Sequence, residues 1–133
     1  MNRSGYTEDA DNNWELIMWR GQVASAIRGK RGQALLKEML EALNAMPNKR
    51  LIAEDLRHGG DVCALGCLGE KRGMELEKLD PEDYDALAGA FGVAQQLIRE
   101  IEYVNDDGVW GWNEETPEQR WQRVRCWVAG KIR

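Results

Sequence analysis

Asp61-Val62-Cys63-Ala64-Leu65-Gly66-Cys67-Leu68-Gly69 is the stretch on which the fold of this chain turns. It reads as a helix over residues 62–72, capped by Asp61 and closed by Gly73. Cys63, Gly66, Cys67 and Gly69 keep it thin. Glycine inside a helix costs about 1 kcal/mol relative to alanine, and close approach of a neighbouring helix is a physical reason to accept that cost. The segment is therefore expected at the centre of the domain.

The flanking sequence supplies the helices to surround it. Residues 33–46 carry Leu36, Met39, Leu40 and Leu43 at i, i+3, i+4, i+7, and Pro47 ends the run. Residues 13–28 form an earlier helix with Asn12 or Asn13 as cap. Trp14, Ile17, Met18, Gly21 and Ala24 share one face of it, taken as the inward one. Gly29-Lys30-Arg31-Gly32 separates the two, which predicts a helical hairpin. Residues 49–58 fit either a short helix stopped by Gly59 and Gly60 or a short strand. Downstream, Asp80-Pro81-Glu82 starts a helix with cap, N1 proline and first-turn acid. Phe91-Gly92 turns the chain into a helix over residues 93–103 with Val93, Leu97, Ile98 and Ile101 inward, and Asn105-Asp106-Asp107-Gly108 ends it. Residues 109–115 read as a loop. Thr116-Pro117-Glu118-Gln119 is a capping box for a last helix with Trp121, Val124 and Val128 inward, joined by Cys126 or Trp127. The expectation is a mostly α single domain of about six helices over residues 13–133, with room for one short β element near residues 50–62, behind a disordered segment 1–12.

Size and composition narrow the function classes. A chain of 133 residues is one domain and long enough for a hydrophobic core. It contains no run of eighteen apolar residues for a membrane span, and its polar, acidic start lacks the apolar stretch of a secretory signal. Three cysteines with no CxxC pair suit a reducing cytoplasm. The net charge of −5 conceals a bipolar layout. Residues 16–37 hold Arg20, Arg28, Lys30, Arg31 and Lys37 and no acid; residues 119–133 hold Arg120, Arg123, Arg125, Lys131 and Arg133 and no acid. Residues 74–118 hold thirteen acids against Lys78 and Arg99. The basic segments can neutralise the acidic middle or together form a face for an acidic partner; solvated faces are the ordinary outcome of such runs. Six tryptophans against one phenylalanine favour core edges and interfaces, because the indole N–H needs a partner.

Three constellations bear on chemistry. Residues 88–101 place small Ala88, turn Gly92 and apolar Ile98 and Ile101 where a helix-turn-helix needs them, with Gln95, Gln96 and Arg99 toward a major groove. Gln pairs with adenine and Arg with guanine, but Glu82, Asp83, Asp85, Glu100 and Glu102 around the unit repel phosphates. Arg28, Lys30 and Arg31 are the other candidates for a nucleic-acid contact. Cys63, Cys67 and Cys126 with His58 have the elements of a Cys3His metal set, although cysteine among Ala, Leu and Gly is ordinarily a small core residue. Cys63 with His58, oriented by Asp61 or Asn105, has the elements of a nucleophile pair if the thiol is exposed and its pKa lowered. No P-loop, GxGxxG or HExxH occurs, and no cofactor is implied. Trp110 and Trp112, flanked by glycines, have the character of an interface anchor, with a lid folded over the core as the alternative.

The order Cys63-Ala64-Leu65-Gly66, Asn105-Asp106 and Thr116-Pro117-Glu118-Gln119 resembles a group of small phage, prophage and actinobacterial proteins with a Cys-Ala-Leu-Gly helix, an Asn-Asp helix end and a Thr-capped last helix. The resemblance spans residues 14–131 in outline and departs at Cys67 and in the Trp110–Trp112 loop. It implies an origin in a phage or mobile element and no particular activity.

The leading expectation is a non-enzymatic phage accessory protein in the host cytoplasm that binds a host protein or nucleoprotein complex and inhibits it, with an anti-CRISPR-like role as its sharpest form. Trp110 and Trp112 would anchor the partner, and Glu82, Asp83 and Asp85 would imitate phosphates. The alternatives are a helix-turn-helix DNA-binding regulator over residues 82–102 and a cysteine-dependent enzyme at Cys63. A structural role in a virion or a homo-oligomer completes the set.

Overall fold

Leu35, Leu36, Met39, Ala42 and Leu43 are buried along one side of α2 (Lys30–Ala45), the helix at the middle of the domain. The computed structural model describes residues 13–107 and 115–133. The expectations for residues 1–12 and for most of the 109–115 loop, Trp110 and Trp112 included, lie outside the described residues. Among these there are six α-helices and one two-stranded sheet: α1 (Asn13–Arg28), α2, β1 (Arg57–His58), β2 (Asp61–Val62), α3 (Ala64–Lys71), a 3-10 turn (Leu76–Lys78), α4 (Tyr84–Phe91), α5 (Gln95–Asp107) and α6 (Pro117–Lys131). The mostly helical architecture and the short β element match the sequence reading.

Helix α2 packs against α1, α3 and α6, while α5 packs against α1, α3, α4 and α6. Full burial of a leucine or methionine contributes about 1.5–3 kcal/mol, so Leu36, Met39 and Leu43, each without exposed surface, hold this centre. The C-terminal end of α2 is closed by Lys49, whose Nζ donates to the carbonyls of Asn44 (3.0 Å) and Met46 (2.8 Å), a cation on the negative end of the helix dipole. Its ammonium lies over Trp121 of α6, 5.5 Å from the ring centroid, and Trp121 Nε1 donates to Leu43 O at 3.1 Å.

The ambiguous segment resolves as a hairpin. Arg57 pairs with Val62 and His58 with Asp61 in antiparallel register. Gly59 (φ 58°) and Gly60 (φ 88°) form the two-residue turn, the left-handed geometry that a tight hairpin needs at both positions. They do not stop a helix. Asp61 consequently sits in β2 and not at a helix start. The N-cap of α3 is Cys63, whose Sγ accepts from Gly66 N at 3.4 Å. The close approach anticipated for the glycines is real, but the neighbour is a different one. A Cβ on Gly66 would lie 2.0 Å from the carbonyl oxygen of Leu56, so it is the strand-forming segment, not a helix, that presses on α3 there. Gly69 faces the Leu76 side chain and Phe91.

Two further boundaries move. Asp83, not Asp80, caps α4, with Oδ1 accepting from Ala86 N at 3.1 Å; Asp80 instead accepts from Glu82 N at 2.9 Å in the preceding turn. Helix α5 runs on through Asn105 and Asp106 to Asp107. The Thr116–Gln119 capping box forms in both directions, at 3.1 and 2.9 Å. Trp121, Val124 and Val128 are buried as expected, Trp127 is half-buried and Cys126 is exposed.

The inward face of α1 is the largest departure. Trp14, Ile17 and Met18 are 65%, 62% and 50% exposed, and Gly21 is exposed too. Val23 and Ile27 are buried instead, with Trp19 and Ala26 packed beside them. At about 100° per residue these two sets point in nearly opposite directions. Helix α1 is apolar on both sides, and the domain uses the side carrying Trp19, Val23, Ala26 and Ile27.

Candidate functional site

Ala64, Asn105 and Asp106 meet in one hydrogen-bonded clamp. Asn105, buried on α5, accepts from Ala64 N through Oδ1 (3.1 Å) and donates through Nδ2 to Ile52 O (2.8 Å) and to Asp106 Oδ1 (2.8 Å). Asp106 Oδ1 also accepts from the backbone N–H of Glu54 (3.1 Å), a non-glycine residue held at φ 73°. From α6, Arg120 donates to the carbonyls of Asn105 (3.0 Å) and Leu51 (3.2 Å), and Arg123 to those of Val104 and Asn105. Glu115 neutralises Arg123 through two bonds of 2.7 and 2.9 Å. Cys63, Ala64, Asn105 and Asp106 thus join α3, the hairpin segment, α5 and α6. Their chemistry is that of a structural joint: most of these contacts satisfy backbone groups, and the rest pair the side chains that make them.

The cysteine sets are dispersed. Cys63 has no exposed surface and spends its sulfur on the α3 cap. Burial above all, with the charge of Glu70 adding to it, pushes the Cys67 thiol up to about 12. Cys126 is exposed on α6, and His58 is exposed on the hairpin. Among the described residues no three His, Cys, Asp or Glu side chains are grouped as metal ligands, and no hydrogen bond joins His58 to Cys63.

Helices α4 and α5 follow each other across a short turn and pack together. Gly92 (φ 73°) closes α4, and Leu97, Ile98 and Ile101 are buried. The candidate base-reading residues of this unit are engaged within the domain. The Arg99 guanidinium lies between the rings of Trp19 on α1 and Tyr84 on α4, 4.8 and 4.9 Å from their centroids. Gln96 Nε2 donates to Gln22 Oε1 of α1 at 3.2 Å, and Gln95 is half-buried. Glu100 and Glu102 are buried rather than displayed beside the unit.

Trp19 and Tyr84, the two rings at Arg99, each lie close in sequence to an exposed feature. On one side is α1, whose Trp14, Ile17 and Met18 precede Trp19 and are exposed. On the other are Glu82, Asp83 and Asp85, which flank Tyr84, are all exposed and form no ion pair among the described residues. The acidic cluster was legible; the exposed apolar set on α1 was not, because the same residues read as a core face.

The two basic segments divide their work. Arg20 pairs with Glu100, Arg120 and Arg123 with Glu115, and Arg125 donates to Asn44 Oδ1 at 2.7 Å. Arg28, Lys30, Arg31, Lys131 and Arg133 are exposed and make no ion pair among the described residues. No described helix is long and apolar enough to cross a membrane. Compared with protein families, with curated proteins and with solved structures, the chain gives no match.

Proposed function

We propose that this chain is a non-catalytic binding protein of a phage or other mobile element that engages a host protein or nucleoprotein complex and inhibits it, with an anti-CRISPR-like role as the most specific form. The observations that support it are two exposed features: Trp14, Ile17 and Met18 on α1, and Glu82, Asp83 and Asp85 at the start of α4, which form no ion pair among the described residues. Large apolar side chains left in water mark an interaction site, and Trp and Met are enriched in the energetic centre of protein interfaces. The exposed acids of the α4 start favour a partner with a basic surface and speed its capture, as a nucleic-acid channel of a host enzyme would provide. Trp110 and Trp112 are the further anchors this reading assigns.

The test is affinity capture of the tagged protein from a bacterial host, with and without nuclease. A stoichiometric protein that survives nuclease is expected. Replacing Trp14, Ile17 and Met18 together by serine should abolish its recovery while the circular dichroism spectrum and urea midpoint stay unchanged. Recovery of the same partner by that variant and by Glu82→Lys/Asp83→Lys/Asp85→Lys would remove the assignment.

A further inference from the structure

Arg28, Lys131 and Arg133, which form no ion pair among the described residues, are among the residues lining a cleft of about 280 Å³ between α1 and residues 130–133. Val23 and Ile27 of α1 and Ile132 form apolar walls. Glu100 is the one acidic side chain in the lining, and Arg20 holds it in two hydrogen bonds of 2.8 and 2.6 Å, so that pair brings no net charge to the cleft. The walls are tied together by Gln33. Its Nε2 donates to Ile27 O (2.8 Å) and Lys131 O (3.0 Å), and its Oε1 accepts from Arg133 N (2.9 Å). The cations therefore belong to a braced site and not to loose chain ends.

The charge continues beyond the cleft. Lys30 and Arg31 stand in the first turn of α2, which contains no acid and whose Gly29 cap offers no side-chain acceptor. A helix N-terminus carries partial positive charge, so cations there are opposed by the dipole and the local potential is raised further. Potential of one sign, concentrated at a cleft with apolar walls, recruits a ligand of the opposite sign.

We propose that this cleft binds the phosphodiester backbone of a nucleic acid. One phosphate sits at the mouth between Arg28 and Lys131 or Arg133, and the strand continues along Lys30 and Arg31. A cleft of this volume admits a sugar-phosphate unit and not a folded acidic surface, while the cations outside it require an anion that repeats. The site is independent of the exposed features on α1 and at the start of α4, and of the candidate helix-turn-helix unit, whose Arg99 is stacked between rings.

The experiment is fluorescence anisotropy of a labelled mixed-sequence oligonucleotide, single-stranded and as its duplex, titrated with the full chain at salt concentrations from about 50 to 200 mM. Saturable binding that weakens with salt is expected. The Arg28→Gln/Lys131→Gln/Arg133→Gln variant should bind at least tenfold more weakly, with the log–log salt slope shallower by about one for each cation removed. Lys30→Gln/Arg31→Gln should lower it again, and Lys78→Gln, which pairs with Glu75 on the acidic side, should leave it unchanged. Absence of binding at low salt would overturn the proposal. So would retention of affinity by both glutamine variants, or displacement of the oligonucleotide by polyglutamate as readily as by unlabelled strand, which would assign the cleft to acidic proteins.

Discussion

Asn105 and Ala64, 41 residues apart, share a 3.1 Å hydrogen bond in which the backbone N–H at the start of α3 donates to the side chain of α5. The same amide group donates to Ile52 O, so one side chain satisfies two backbone groups from two segments. Leaving a buried donor or acceptor unpaired costs about 1–3 kcal/mol. Asn105→Ala is therefore expected to lower unfolding stability by about 2–4 kcal/mol, read as a lower urea midpoint at unchanged slope. Asn105→Asp keeps the acceptor for Ala64 but loses the donor to Ile52 and sets a carboxylate against Asp106, so it should also destabilise. A midpoint within error of the parent for both variants would show that the clamp is not what joins α3 to α5.

Glycine substitutions separate close packing from helix propensity. At Gly66 an added Cβ would meet the Leu56 carbonyl at 2.0 Å, and backbone on both sides prevents it from yielding. At Gly89, inside α4, nothing lies within 4 Å. Gly89→Ala should stabilise by up to about 1 kcal/mol through helix propensity alone. Gly66→Ala should have the opposite sign, since overpacking of a tight core site costs about 1–3 kcal/mol and outweighs the propensity gain. Thermal and urea melts of the two single variants measure the contrast; the same sign at both positions would contradict the packing described for Leu56.

The features legible in the sequence are those whose causes are local. The Thr116–Gln119 box lies within one turn and forms as read. The Leu36, Met39 and Leu43 stripe has a single apolar face, so its burial follows from periodicity. Helix α1 has two apolar faces, and only the positions of α2 and α5 decide which one is covered. Asn105 reads locally as a helix-ending residue; its partners are 41 and 53 positions away, and no short-range pattern announces them. The candidate surfaces follow the same division. Charge runs at residues 16–37 and 119–133 are visible, but that they meet around one cleft depends on α1 and the end of α6 coming together.

Cysteine reactivity discriminates a cysteine enzyme from a binding protein. Cys63 is fully buried and Cys67 nearly so, and the Cys67 thiol stays protonated until about pH 12. Thiolate is the reactive form, so neither should react readily in the folded protein near pH 8. A native thiol assay should titrate Cys126 first, one equivalent per chain, with the other two released on unfolding. Peptide mapping that found Cys63 alkylated faster than Cys126 would return the nucleophile reading to the lead.

Acid stability has a traceable contributor. Arg72 holds the Glu38 carboxylate through two hydrogen bonds of 2.6 and 3.1 Å and, by those bonds first and its charge second, keeps the carboxyl below its ordinary value of 4.5. A group depressed in the folded state favours folding above its unfolded pKa, and that contribution fades as pH falls through the folded value. Stability of the parent should therefore decline on the acid side of pH 4.5 more steeply than that of Glu38→Gln, until the Glu38 carboxyl is protonated in both the folded and the unfolded chain. Parallel curves across that range would show that the pair contributes nothing to acid sensitivity.

Arg99 decides between a buttress and a reader of bases. Its guanidinium lies within 4.9 Å of the ring centroids of both Trp19 and Tyr84, and each cation–π contact contributes about 0.5–2 kcal/mol. Arg99→Leu should lower stability by about 1–3 kcal/mol and loosen α1 against α4, with recovery of the captured host protein falling alongside that of the Trp14 variant. Arg99→Lys should lose part of the same stability, since an ammonium keeps the charge but cannot stack as a plane. A base-reading arginine would behave in the reverse manner: removing it would leave the urea midpoint in place and abolish sequence-dependent duplex binding. Measuring both quantities on Arg99→Leu therefore separates the two roles, because the stack predicts a loss of stability that a solvent-facing recognition residue does not.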